Sequence, residues 1–145
     1  MTVAKDLLKR KGDKVFVIGP DDTVLDAARR MTEHHIGALV VVDPDMGMVG
    51  LFTERQILAR VVAKEKPPAE LRVGEVMSAN VAYCAPDTPI AECRQMMTHR
   101  RQRHLPVLQE GQLVGLISMG DIVAHEVELQ QATIEYMHQY IYGRS

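Results

Sequence analysis

Val49-Gly-Leu-Phe-Thr-Glu-Arg-Gln-Ile57 and, 65 positions later, Val114-Gly-Leu-Ile-Ser-Met-Gly-Asp-Ile122 are one pattern used twice. Upstream of them the same spacing relates Thr23-Val-Leu-Asp-Ala-Ala-Arg-Arg-Met31 to Thr88-Pro-Ile-Ala-Glu-Cys-Arg-Gln-Met96. A repeat this long, used only twice, points to two copies of one α/β unit packed on each other. Solenoids use shorter and more numerous periods.

Working outward from these stretches, each unit reads strand, helix, strand, strand, helix. Lys14-Val-Phe-Val-Ile18 is a short β-rich run, and Thr23 then caps a helix with Asp26 three residues on. Val24, Ala27, Ala28 and Met31 give that helix one apolar face. Ala38-Leu-Val-Val-Val42 is continuously apolar, as in a strand covered on both sides. The turn Asp43-Pro-Asp-Met-Gly47 leads into a hairpin partner, Met48 to Phe52, and Thr53 with Gln56 opens a helix through about Val62. The second unit repeats this with a strand at Val81 to Cys84, a helix from Thr88, strands at Leu105 to Leu108 and Leu113 to Ile117, and a helix from Ser118.

Short lead-ins, Thr2 to Leu7 and Arg72 to Met77, precede the units at an offset of 70, and a charged, proline-broken linker from Lys64 to Glu70 separates them. The expected organisation is residues 1–66 as the first repeat with its lead-in, 67–127 as the second, and 128–145 as a helical extension. Running into that extension, Ile122, Val123, Val127, Ile134, Met137 and Ile141 continue a roughly helical apolar pattern that Gly143, Arg144 and Ser145 end. The fold class is α/β (α+β), two pseudo-symmetric β-α-β-β-α repeats packed through their sheets.

The chain has 145 residues, of which 46% are hydrophobic and 25% charged, enough for one self-sufficient core with aliphatic filling. A net charge of −2 gives no general attraction to nucleic acid or to anionic membranes. Cys84 and Cys93 lack metal-ligand spacing and read as reduced thiols. The amino terminus lacks the apolar core of a signal peptide, and the longest apolar run, Ile36 to Val42, is too short to span a bilayer. These features lead us to expect a cytoplasmic protein.

No nucleophile elbow, phosphate loop, zinc-protease helix or dinucleotide glycine pattern occurs, so the sequence offers no catalytic set. What it offers is two strand-to-helix junctions. A helix start presents free N–H groups and a positive dipole end to an anion, and Thr53 or Ser118 adds a hydroxyl. Asp121 could accept both hydroxyls of a ribose, and Arg103 with His104 could hold phosphate oxygens. The same junctions are also ordinary capping boxes, worth about 1 kcal/mol each as helix starts.

Two ordered copies of Gly-apolar-apolar-[Thr/Ser]-x-x-[Gln/Asp]-Ile, together with Arg103-His-Leu-Pro-Val107 and Asp87-Thr-Pro-Ile90, resemble the cystathionine-β-synthase (CBS) domain pair, or Bateman module, over residues 2 to 126. The resemblance implies two clefts between the repeats that hold adenosine compounds: AMP, ADP, ATP, NAD or S-adenosylmethionine. It implies Ser118 and Asp121 as hydroxyl and ribose-binding acid, and Thr53 as the first-repeat hydroxyl. Val15, Phe16 and Val17, Val81, Ala82 and Tyr83, and Ile36, Gly37 and Ala38 would lie against the base. Arg103 and His104 would face phosphate, beside Pro106 on the same strand. Gln56 departs from the family by replacing the first-repeat acid, and Arg55 partly offsets this, so two unequal sites are expected with the Asp121 site the stronger. The resemblance further implies a homodimer and a regulatory role toward an unidentified protein target, while the acidic charge balance and short apolar runs lead us to expect no membrane or nucleic-acid binding. The competing readings are a nucleotide-processing enzyme and a nucleic-acid-binding protein using Arg100 to Arg103.

Overall fold

The computed structural model describes residues 1–142. The expected helix end at Gly143, with Arg144 and Ser145, lies outside the described residues. In chain order the elements are α1 (Ala4–Lys11), β1 (Val17–Ile18), α2 (Val24–His34), β2 (Ala38–Asp43), β3 (Gly47–Thr53), α3 (Glu54–Gln56), which runs on as a π-helical turn (Ile57–Val62), α4 (Val73–Val76), α5 (Ile90–Arg100), β4 (His104–Gln109), β5 (Gln112–Ser118) and α6 (Met119–Tyr142). Both hairpins form as the alternation of apolar runs and turn residues predicts. The antiparallel register pairs Ala38 with Thr53 in the first and His104 with Ser118 in the second.

The repeats are less alike than their sequences. In the first, β1 pairs parallel with β2 to complete a three-stranded sheet. The second sheet has two strands, because the expected strand at Val81 to Cys84 shrinks to a single parallel bridge between Cys84 and Val107. Gln102 accounts for part of this. Its side-chain amide takes the N–H and C=O of Ala82 at 3.0 and 2.8 Å, supplying by side chain the pairing a strand would make by backbone.

The helical register also slips by one residue. Val24, Ala27 and Met31 on the buried face of α2 correspond to Ile90, Cys93 and Met97 of α5, an offset of 66. Met97, and not Met96, is thus the partner of Met31. Pro89 takes the N-cap position, and the Thr88 hydroxyl instead accepts from Ala85 N–H at 2.9 Å. The offset returns to 65 at the hairpin turns, between β2 and β3 and between β4 and β5. Pro44-Asp-Met46 is matched there by the two-residue turn Glu110-Gly111, whose positive φ values of 52° and 80° suit the right-handed strand twist.

The lead-ins cross over. Ala4, Leu7 and Leu8 of α1 are buried in the core of the second repeat with Ile90, Cys93, Met97, Leu105 and Ile117. Val73 and Val76 of α4 are buried in the core of the first repeat with Val24, Met31, Leu39 and Phe52. The backbone bridge of Val3 to Pro89 and that of Arg72 to Thr23 fasten the two crossings. The corresponding residues are Ala4 with Val73 and Leu7 with Val76, an offset of 69 and not the expected 70. In space, then, each compact half takes its lead-in from the other end of the linear division at residue 66. Cys84 and Cys93 are free thiols inside the second core, as the sequence suggests. The hydrogen bond to Cys93 and burial hold the Cys84 thiol well above the usual range.

Candidate functional site

The strand-to-helix junctions lie side by side because β3 and β5 meet at the centre of the molecule. Gly50 and Gly115 sit where the crossed lead-ins pass over these strands. A Cβ on Gly50 would lie 2.6 Å from both Met77 Sδ and Ser78 O, and one on Gly115 2.5 Å from Leu8 Cδ1. Both glycines thus sit at a close approach, against backbone at Gly50 and against the tip of a side chain at Gly115.

Beside each junction is a cleft. The first, of about 320 Å³, is lined by Thr53, Arg55 and Gln56 from the first repeat and by Val81 and the segment Arg100 to His104 from the second. The second, of about 400 Å³, is lined by Ser118 and Leu116 from the second repeat and by Lys14, Val15, Phe16, Ile36, Gly37 and Ala38 from the first. His104 borders both. Between them Arg55, Arg101, Arg103, His104 and Ser118 share one open depression, onto which both clefts give.

This geometry separates residues that the sequence reading joined. Arg103 lines the cleft of Gln56 and Ser118 that of the apolar wall from Ile36 to Ala38, and the two share only the open depression. Asp121 borders neither cleft. It lines a small depression with Lys11, Arg10 and His125, and its Oδ2 accepts from Ser118 N–H at 2.8 Å and from Lys11 Nζ at 2.6 Å. Val17, Ala82, Tyr83 and Pro106 also fall outside both cleft linings. The C=O of Val17 accepts from Arg30, the backbone of Ala82 is held by Gln102, Tyr83 is exposed, and Pro106 is buried within β4. The remaining expected residues, Thr53, Arg55, Gln56, Arg103, His104, Ser118, Val15, Phe16, Ile36, Gly37, Ala38 and Val81, are cleft-lining.

Each junction is also capped by its own chain. Thr53 N–H and hydroxyl both donate to Gln56 Oε1, at 2.7 and 2.6 Å, and Gln56 Nε2 donates to Ser78 Oγ at 3.2 Å. The first amide of each helix is taken by the strand opening of the other repeat, Glu54 N–H by Gly37 O at 3.0 Å and Met119 N–H by Arg103 O at 2.9 Å. Asp121 N–H goes to Ser118 Oγ at 3.1 Å. Free helix-terminal donors are thus fewer than the sequence suggests, and the charge available to an anion resides in side chains. Lys11, Lys14 and Ser78 contribute to the sites without having been singled out in the sequence. Lys11 and Ser78 arrive by the lead-in crossing, which leaves no local signal.

The second cleft has an apolar wall. Phe16 stacks on His34 with ring centroids 4.2 Å apart, and the Lys14 ammonium lies 5.0 Å from the Phe16 ring centre. His104 between the clefts titrates below the usual histidine range, because burial disfavours the imidazolium and Lys11 repels it. Among the described residues no group of His, Cys, Asp and Glu side chains is placed to hold a metal, and no helix is long and apolar enough to cross a membrane.

The profile of the CBS domain matches residues 4–63 and 73–128, one match on each repeat. The chain belongs to the CBS-domain family. CBS domain-containing protein CBSX3, mitochondrial, of Arabidopsis thaliana is 32% identical over 98% of this chain and 73% of its own length. A solved CBS-domain protein of Burkholderia ambifaria, whose name gives signal transduction as its proposed role, is 41% identical, covers 88% of this chain and 95% of its own, and superposes with a TM-score of 0.83. A hexameric CBS-CP12 protein of bloom-forming cyanobacteria is 27% identical, with a TM-score of 0.77, over 85% of this chain and 70% of its own. This CBS pair therefore shares the tandem α/β architecture of these proteins, of which the Burkholderia one is named for signal transduction.

Proposed function

We propose that this CBS pair is a regulatory module that binds an adenine nucleotide in the clefts between its repeats and passes the bound state to an unidentified protein target. The observation that carries the reading is the convergence of two clefts on one depression bearing Arg55, Arg101 and Arg103. The wall of Val15, Phe16, Ile36, Gly37 and Ala38 suits a planar, largely apolar base, and Ser118 offers a hydroxyl at its rim. The guanidinium groups suit phosphate oxygens, which they bind by paired charge-assisted hydrogen bonds. AMP, ADP, ATP and NAD fit this division of labour, and S-adenosylmethionine fits the apolar part alone. The hexameric relative supports self-association of such modules.

The test is mass spectrometry of small molecules released from the purified protein, followed by thermal stabilisation with each candidate. A ligand at 100 times its dissociation constant adds about 2.7 kcal/mol. Nucleotide recovered intact after long incubation agrees with regulation, and conversion to product points to an enzyme. No released nucleotide, and no stabilisation by any of the five compounds, overturns the proposal.

A further inference from the structure

α6 is 24 residues long, yet Ile122 is its only buried residue, and every residue from Val127 to Tyr142 is exposed. At 1.5 Å per residue that exposed part is about 24 Å of helix without cover from its own body. An isolated helix of that length is marginal in water. Five of its exposed apolar residues share one face, with Tyr140 and Tyr142 flanking it and Leu129 and Tyr136 on the far side. Val123, Val127, Ile134, Met137 and Ile141 are 48, 46, 65, 53 and 64% exposed, and at 100° per residue they fall within about 80° of arc. Their spacing is that of a heptad in which Gly120, Val127, Ile134 and Ile141 are at a, and Val123, Gln130 and Met137 at d.

We infer that this stripe is the seam of a parallel two-stranded coiled coil with α6 of a second copy of the chain. Charge selects the occupant. From Met119 to Tyr142 there is no Lys or Arg, and Asp121, Glu128 and Glu135 all fall at b, away from the seam. Glu126 at g is already paired with Arg94. The other flanking positions beyond residue 123 are neutral: Ala124, Gln131 and His138 at e, Thr133 and Tyr140 at g. Two copies thus meet without apposed like charges, and the seam itself offers no charged feature by which a different partner would be chosen. Three β-branched residues at a favour two strands. Gln130 sets the direction. In a parallel pair it faces its own copy and the two amides bond reciprocally, whereas the antiparallel register that pairs Ile134 with Met137 sets Gln130 against Ile141 and leaves the amide unpaired. This contact is independent of whether the clefts bind nucleotide.

The test uses the full chain. Under mild oxidation Met137→Cys gives an intermolecular disulfide, and Gln139→Cys, on the opposite face at f, gives at least about 10-fold less. Cys84 and Cys93 are buried and do not compete. In sedimentation, Ile134→Asp with Ile141→Asp weakens self-association at least about 10-fold while the melting of the globular part is unchanged, because both side chains are exposed in the single chain. Equal cross-linking at 137 and 139, cross-linking of Met137→Cys only with Ile134→Cys, unchanged association of the double variant, or a wild-type monomer at about 100 µM would each overturn the inference.

Discussion

The two strand-to-helix junctions are built alike and finished differently. In both, a glycine lets a crossed lead-in lie on the strand, and a hydroxyl residue is bonded to the side chain or amide three positions on. The lead-in then reaches that third residue. Ser78 meets Gln56 at 3.2 Å, and Lys11 meets Asp121 at 2.6 Å. An amide is paired with a hydroxyl in one repeat, and a carboxylate with an ammonium in the other. Replacement of the acid by Gln is therefore matched by a change in the residue facing it, 22 positions away in one case and 110 in the other. The asymmetry between the clefts lies as much in the lead-ins as in the repeats.

The largest effect expected from this comparison is on folding. Gly50→Ala forces a Cβ against the Ser78 carbonyl, which is fixed by paired hydrogen bonds between Leu51 and Ser78. Gly115→Ala presses only on the tip of Leu8, which can rotate. Overpacking of this kind costs about 1 to 3 kcal/mol. We expect about 3 kcal/mol for Gly50→Ala and about 1 kcal/mol for Gly115→Ala in urea unfolding. Equal losses would show that the two crossings are equally compliant.

Next in size is ligand affinity. If phosphates lie in the guanidinium-lined depression, Arg103→Ala weakens ATP binding by about 10-fold or more, the effect of a lost charged hydrogen bond of at least about 1.5 kcal/mol. Adenosine, lacking phosphate, changes less. A calorimetric titration in which both ligands weaken equally would assign Arg103 to the base or to folding.

How much of this was legible in the sequence depends on the range of the interaction. The hairpins, the apolar faces of α2 and α5 and the capping residues Thr23, Thr53 and Ser118 are local and could be read directly. The one-residue slip was hidden because Thr23 and Thr88 align at the wrong offset, and adjacent Met96 and Met97 satisfy either register. The lead-in crossing was invisible because Leu7, Leu8, Val73 and Val76 would serve either core equally well. The site inherited that gap: residue types at the junctions were readable, but the assignment of Arg103 to the Gln56 cleft follows from the packing of one repeat on the other, and that of Lys11 to Asp121 from the crossing.

A smaller effect separates the two finished junctions. Asp121→Ala removes an acceptor for Ser118 N–H and the partner of Lys11, and Gln56→Ala removes the acceptor for Thr53 and the link to Ser78. Losses of about 1.5 and about 1 kcal/mol are expected at low salt, since caps contribute about 1 kcal/mol and a partly exposed ion pair adds less. Only the ion-pair contribution is screened, so about 1 M salt should bring the two losses together, as followed by chemical denaturation. A gap that persists in high salt would mean that Lys11 contributes by packing.

The smallest effect, and the most specific to one repeat, is protonic. His104 begins β4 where Ala38 begins β2, so only the second repeat carries a titrating group at that position. Burial, and after it the charge of Lys11, lowers its pKa in the fold below the ordinary 6.5. Above 6.5 the imidazole is neutral both folded and unfolded, and pH has no leverage. As pH falls through 6.5 the unfolded chain takes up a proton that the folded chain refuses, and stability declines until the folded value is reached. His104→Gln should remove that part of the decline, measured as the difference in melting temperature between variant and wild type from about pH 7.5 down to about pH 5. Phosphate bound beside His104 would stabilise the imidazolium, raise its pKa and make binding take up a proton, which calorimetry in buffers of different ionisation enthalpy detects. A pH-independent difference between wild type and His104→Gln would instead mean that the imidazole stays accessible to water, and the ridge between the two clefts would then be open in solution.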